Sequence, residues 1–363
     1  MSKARQLADL GNVYDDGALS NRNMVINGGM TISQRNSSWS GLTASQYTLD
    51  RFSADIGGGG AIDVAQSTTA ADGFVNSMSL TVATADASIA AGDAYRVSHQ
   101  IEGLNVGHLN WGSSSAQTVT LSFWVRSSIT GTYGLGISNS AETENYVAEY
   151  IINSANTWEK KTVTVEGRTS GTWLTTNGIG LGIRWDLGSG TNYNGTAGSW
   201  QTTGSKVYRT SSCVNWIANA GATFYLTGVQ LEVGDTATPF EHRSYGDELQ
   251  RCFRYYEQWD CVDGENIHLG TSYNGQPVTA IKYVVRKRAS PTITLPTAGQ
   301  TSGTISFLNG TGGYPTTTGT HSTSQVNNRG ARIASSGYSG ITSAQPAMLY
   351  TNGSTIFKFD AEL

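Results

Sequence analysis

The side chains able to do chemistry in this 363-residue chain are acids, histidines and indoles. Glu142, Glu144 and Glu149 lie close together, as do Asp260, Asp263 and Glu265. Glycoside hydrolysis needs two carboxyl groups facing one sugar bond, and these clusters are where such a pair would arise. Glu142 and Glu144, however, read as parts of a solvated loop. The Asp260–Glu265 run offers oxygens that suit Ca2+ but does not follow the spacing of an EF-hand loop. The five histidines, His99, His108, His242, His268 and His321, are scattered, and no HExxH or CxxC pattern gathers them around zinc. No GxSxG, GxxxxGK[ST] or post-strand GxGxxG occurs, and Gly57–Gly60 has neither a following helix nor a Lys. The expectation is a protein without catalysis, cofactor or metal.

The nine tryptophans are better placed. A pyranose ring stacks its apolar face on an exposed aromatic ring, and Asn, Asp and Gln edges bind its hydroxyls. Parity turns Trp124 to the polar side of its strand, and Trp111, Trp173, Trp200 and Trp216 have polar or glycine-rich surroundings. Tyr314, His321, Tyr338 and Tyr350 stand among Gly, Ser and Thr. Trp111, Trp124, Trp200, Tyr314 and Tyr338 are therefore the candidate glycan contacts. Each has a plainer alternative: an outward Trp can pack under a loop or against another subunit, and a Tyr can pack a hairpin. Trp158 and Trp185 are expected in the core.

The elements that would carry these residues are strands. Charged residues are only 14%, Gly alone numbers 44, and hydrophobic residues reach 38%. That composition suits many short strands joined by tight turns, and excludes a disordered chain. Val119, Leu121, Phe123 and Val125 alternate with polar neighbours, as do Tyr95, Val97, His99 and Ile101. Tyr225, Val229, Leu231 and Val233 share a parity opposite Gln230 and Glu232. After Gly234, Asp235 and Pro239, Ser244 can cap a helix, with Asp247 three residues on. Leu249, Cys252, Phe253 and Tyr256 then follow at i, i+3, i+4 and i+7. Beyond it, Val278–Val285, Thr292–Leu295, Thr304–Leu308, Arg332–Ala334, Ala347–Tyr350 and Ile356–Phe359 read as strands, and 309–329 as a long loop. The fold class is all-β: an antiparallel jelly-roll-like sandwich, one short helix and a smaller C-terminal β domain. The divisions are a segment at 1–23, the sandwich at 24–243, the connecting helix at 244–258 and the C-terminal domain at 259–363.

A formal net charge of −4 gives no field that would recruit nucleic acid. No apolar run reaches the ~18 residues of a membrane span, and the opening residues lack a secretion-signal pattern. Three Cys cannot all pair, and Cys252 with Cys261 could bridge or stay free.

The stretch from Phe224 to Tyr256 resembles the segment that closes the β-sandwich of many bacteriophage tail-fibre and virion-surface proteins and leads into their distal tip. NRNMVINGGMTISQR (21–35) with YTLDRF (47–52) is similar to their proximal start, and the closing FDAEL to their end. The resemblance implies a fibre protein on the virion, assembled in the host cytoplasm and attached to other phage tail or virion proteins by its N-terminal segment. Lys3, Arg5, Leu7 and Leu10 are the candidate docking residues. It also implies a homotrimer that adsorbs to a host-surface glycan or receptor. The alternatives are a purely structural neck, capsid or tail decoration, and a glycan depolymerase.

Overall fold

The computed structural model describes Lys3 and residues 21–298, 304–309, 320–337 and 344–363. Strands dominate, with one α-helix among the described residues, and the chain divides into two compact units between Glu248 and Leu249, with Leu363 in the first.

The first unit is a jelly-roll-like sandwich of two antiparallel sheets. One runs, edge to edge, Ser38–Leu42, Ala61–Ser67, Ser77–Thr84, Thr223–Val233, Val119–Ser127 and Glu159–Val165. The other runs Ser199–Thr202, Glu144–Ile152, Gly131–Ser138, Ile179–Asp186, Ala94–Glu102, Phe52–Gly57 and Gln46–Tyr47. The alternating rows face one another: Val119, Leu121, Phe123 and Val125 are all fully buried. Phe123 meets Tyr150 at 5.1 Å and Trp185 at 5.8 Å, both edge-on, across the two sheets. Burying each such side chain contributes about 1.5–3 kcal/mol, so period two decides which face closes.

One parity breaks. In Thr223–Val233 the residues Phe224 and Leu226 point inward before Gly228, and Val229 and Leu231 after it. Tyr225, expected inward, lies outward, half-buried between Trp158, 6.1 Å away, and Arg126, 5.0 Å from its ring. The cause is a β-bulge: the register against Val119–Ser127 slips between Thr227 and Gln230, and Gly228 sits there at φ +61°. A Cβ on Gly228 would stand 2.5 Å from Phe74 and 2.9 Å from Trp124. Gly228→Val should cost about 3 kcal/mol, from the left-handed backbone and the ring clash together. A urea midpoint unchanged from wild type would show that the bulge does not constrain this strand.

Trp158 is likewise not in the core but half-buried on that outer face, whereas Trp185 is fully buried as expected. Gln230 and Glu232, outward by parity, are nonetheless buried. The chain after the strand folds back over them: Thr238 donates to Glu232 at 2.9 Å and the Glu241 N–H to Gln230 at 2.8 Å. Asn23 joins from the other end, donating to Val229 O at 3.1 Å and accepting from the Leu231 N–H at 3.1 Å.

On the seven-stranded sheet, Gly134 and Gly136 leave the outer face bare, and Tyr208 and Arg209 lie directly on them. Arg209 faces Asp186 at 3.5 Å, and Arg96 lies between Asp55, at 2.8 Å, and the Tyr208 ring, at 5.0 Å. This face is therefore covered by the chain's own strap.

The second unit pairs a seven-stranded sheet (Thr297–Ala298, Thr304–Asn309, Pro346–Asn352, Asn266–Tyr273, Gln276–Lys282, Gly330–Ser336, Thr320–Ser324) with a three-stranded one (Tyr256–Cys261, Thr355–Asp360, Thr292–Thr294). All pairings are antiparallel except that of Thr297–Ala298 with Thr304 and Ile305. Ile281, Ile305, Phe307, Ile333, Leu349, Phe357 and Phe359 form its core. Thr320–Ser324 falls inside the stretch expected to be a loop, and Asn266–Tyr273 was not anticipated. Asn266–Tyr273 is held between two partner strands and Thr320–Ser324 lies on the sheet edge against Gly330–Ser336, so pairing and not a continuous apolar pattern makes both strands.

Ser244 caps the helix, accepting from the Asp247 N–H at 3.2 Å. The helix is shorter than its apolar spacing suggests: it runs Tyr245–Phe253, and Tyr256 opens a strand paired with Thr355–Asp360. Cross-strand pairing there outweighs the helical period, with Trp259 packing 4.7 Å from Phe359. Cys213, Cys252 and Cys261 are all buried and none forms a disulfide.

Candidate functional site: a tryptophan cluster beside a cavity

At one end of the sandwich the loop after Ala94–Glu102 makes two short 3-10 turns, Gly103–Asn105 and Gly107–Leu109, and then turns left-handed at Asn110. Trp111 follows. The loop carrying Arg168–Gly178 runs alongside, bonded through the Gly112 N–H to Arg168 O at 2.7 Å. Gly112 has no alternative residue there: at φ +88° its Cβ would stand 2.7 Å from Gly171 O. Trp173 comes from this second loop, and Trp200 from the edge strand Ser199–Thr202, opposite Tyr146.

The three indoles meet nearly at right angles. Trp111 lies 4.7 Å from Trp173 and 5.4 Å from Trp200, and Trp173 and Trp200 are 5.6 Å apart, each pair at 84°. Each ring N–H is fixed by a backbone carbonyl: Trp111 on Gln117 at 2.7 Å, Trp173 on Ser170 at 3.1 Å and Trp200 on Glu166 at 2.8 Å. Trp111 is 9% exposed and acts as the post, while Trp173 and Trp200 are half-buried. Arg168 lies over Trp200 at 5.9 Å and is held by Glu144 at 2.7 Å.

Beside Trp111 and Trp173 opens a cavity of about 250 Å3, floored by Leu109 and Leu181 and edged by Asn110, Ser113 and Thr175. An apolar floor, two aromatic walls and a few polar edges are what a small hydroxylated ring requires.

The sequence candidates fall out as follows. Trp111 and Trp200 come together, joined by Trp173, which was noted for its surroundings but not chosen. Trp124 is apart from them, half-buried on the outer face of the other sheet beside Gly228 and Phe74. Trp216, noted for polar surroundings, is fully buried. Tyr314 and Tyr338 lie outside the described residues, as do Arg5, Leu7 and Leu10, while Lys3 is exposed. A wider hollow of about 500 Å3 in the second unit is lined by Ile293–Thr297 with Thr320, His321 and Thr323. Burial lowers the pKa of His321, which is bonded to Ser335 and, at 3.2 Å, to Ile305 O.

The acids do not converge. Glu144, expected in a solvated loop, is 5% exposed and holds Arg168; Glu142 holds Arg184 at 2.6 Å and Lys206 at 3.1 Å. Glu149 accepts from Ser212 at 2.6 Å, Asp260 from Gln258 at 2.8 Å and Glu265 from the Val262 N–H at 3.1 Å. Among the described residues no three His, Cys, Asp or Glu side chains lie together as metal ligands, and no helix is long and apolar enough to cross a membrane.

No protein-family model matches the chain, and no curated protein does. Solved structures similar to it include the enzymatically active domain of tailspike protein 4 of bacteriophage CBA120. That likeness has 11% identity over 58% of this chain and 21% of the tailspike chain, with a TM-score of 0.30. A family 11 carbohydrate-binding module from Clostridium thermocellum, in complex with a mixed-linked tetrasaccharide, matches with 11% identity over 57% of this chain and 99% of the module, TM-score 0.29. The N-terminal tandem CBM22 domain from Paenibacillus barcinonensis matches with 9% identity over 92% of this chain and 91% of its own, TM-score 0.27. At these scores the likeness adds nothing to the strand order, on which the fold assignment rests.

Proposed function

We propose that this is a bacteriophage fibre or other virion-surface protein that adsorbs to host glycans through the Trp111–Trp173–Trp200 end of its sandwich, without turnover. The carrying observation is the cavity beside the indoles, with an apolar floor and hydroxyl and amide edges. The phage assignment is supported by the resemblance of residues 21–35, 47–52, 224–256 and the closing FDAEL to fibre proteins. A pyranose of about twelve heavy atoms at ~0.3 kcal/mol each binds only millimolar. Adsorption then depends on several linked copies, and a homotrimer raises avidity by effective concentration. Incubation of the purified protein with host polysaccharide tests this reading: binding without new reducing ends is expected, and released product would make it an enzyme.

A second reading, a structural decoration that never meets the host, is favoured by one observation: all three indole N–H groups are already bonded to backbone. It gives neither binding nor product in the same assay.

The N-terminal segment bearing Lys3, Arg5, Leu7 and Leu10 is assigned to virion docking. Asn21 and Asn23 belong instead to the sandwich, both backbone N–H groups donating to Glu241. Deleting residues 1–20 should therefore leave the melting temperature of the sandwich unchanged and abolish incorporation into particles. Virions that still carry the truncated protein would refute the docking assignment.

A further inference from the structure

The geometry points to the ligand class of this cavity: one uncharged pyranose at the end of a glycan chain, with acidic sugars refused. The inference rests on the glycan-binding reading above and narrows it.

Charge comes first. No residue lining the cavity is ionisable. Arg168, whose backbone meets the cavity-lining Gly112, does not line the cavity; its guanidinium lies over Trp200 and is held by Glu144 at 2.7 Å and Thr202 at 3.0 Å. A uronate or sialate carboxylate placed against Trp111 and Trp173 would lose water and gain no counter-charge, which disfavours it strongly. Neutral hydroxyls meet what is there: the Asn110 amide and the Ser113 and Thr175 hydroxyls.

Size comes second. Pockets for drug-sized ligands run to roughly 300–1,000 Å3, and this one has about 250 Å3. A volume just below that range suits one sugar ring rather than several. One wall is a seam where two loops touch backbone to backbone. A Cβ on Gly103 would stand 2.3 Å from Leu174 O, and one on Gly180 2.6 Å from Gly103 Cα. A chain cannot thread through that seam, and with this side closed behind Leu174 and Gly180 the cavity favours a sugar entering as an end group.

The test is titration calorimetry of the full chain with neutral hexoses, glucuronic acid and sialic acid, and with neutral oligosaccharides of increasing length. Each is run at about 0.01 M and about 1 M salt, where screening lengths differ by roughly tenfold. Expected are binding of at least one neutral monosaccharide, an affinity that changes less than about threefold with chain length or salt, and acidic sugars at least about tenfold weaker, consistent with an uncompensated buried charge. Trp173→Ala weakens that binding by about 10–100-fold. Acidic sugars binding as well as neutral ones, affinity climbing steadily with each added unit, or neutral binding undiminished in Trp173→Ala would each overturn this inference alone. If no sugar of either kind binds, the glycan-binding reading itself fails.

Discussion

Lys287→Met should lower the unfolding free energy by about 3–5 kcal/mol, the cost of stranding a buried charge. Lys287 and Glu257 are both fully buried in the C-terminal unit, 2.5 Å apart. Lys287 also donates to Phe253 O and lies 5.4 Å from the Tyr283 ring. Glu257 also accepts from the Trp259 indole at 2.6 Å and from the Val284 N–H at 3.1 Å. Methionine leaves that buried carboxylate without its cation. Adding Glu257→Gln removes the stranded charge while keeping an acceptor for Trp259, so the double variant should recover most of the loss. Urea-dependent hydrogen exchange at the amides of Phe357 and Phe359, which lie in the core of this unit, reads both. A single variant within about 1 kcal/mol of wild type, the range of exposed pairs, would mean that the pair is not buried. The pH dependence has a definite sign. Burial pushes Lys287 down to about 8 from 10.5, with Glu257 pulling it partly back. Below about 8 the amine is charged in both states. Between there and 10.5 the native protein has released the proton and the unfolded chain still holds it, so stability rises with pH. The rise is up to ~3 kcal/mol at about 1.4 kcal/mol per pKa unit, and Lys287→Met abolishes it.

That ion pair was invisible in the sequence, and the reason is general to this chain. What could be read was local: the row Val119–Val125 needs only its own alternation, and its burial followed. Ser244 capping Asp247 needed only a three-residue spacing. What could not be read was pairing across long separations. Lys287 and Glu257 meet because Tyr256–Cys261 left the helix to pair with Thr355–Asp360. Tyr225 faces outward because one glycine allowed a bulge. Asn266–Tyr273 is a strand because Pro346–Asn352 and Gln276–Lys282 flank it. The site divides the same way. Glycine-rich surroundings singled out Trp111, Trp173 and Trp200 without distinguishing them from Trp216, which the core took. The glycine directly after Trp111 and the one two residues before Trp173, Gly112 and Gly171, were the available signal, since close loop packing needs such positions.

Trp173→Ala should weaken glycan binding by about 10–100-fold, the loss of one stacked face at roughly 1–3 kcal/mol. Trp173 lines the cavity together with Trp111, but it is half-buried where Trp111 is 9% exposed. It therefore has a ring face to offer while Trp111 supports it edge-on at 84°. Truncation also removes packing, at about 2 kcal/mol for a half-buried ring, below the fully buried range. Stability alone therefore cannot identify its role. Trp200→Ala is the control: the ring packs on the same two indoles at 5.4 and 5.6 Å but does not line the cavity. It should cost similar stability and little affinity. Trp173→Phe keeps a flat apolar face and should bind within about fivefold of wild type, since the stacking term is largely retained. If Trp173→Ala and Trp200→Ala weaken binding equally, and phenylalanine does no better than alanine, the indoles act by bracing the two loops and not by meeting the sugar.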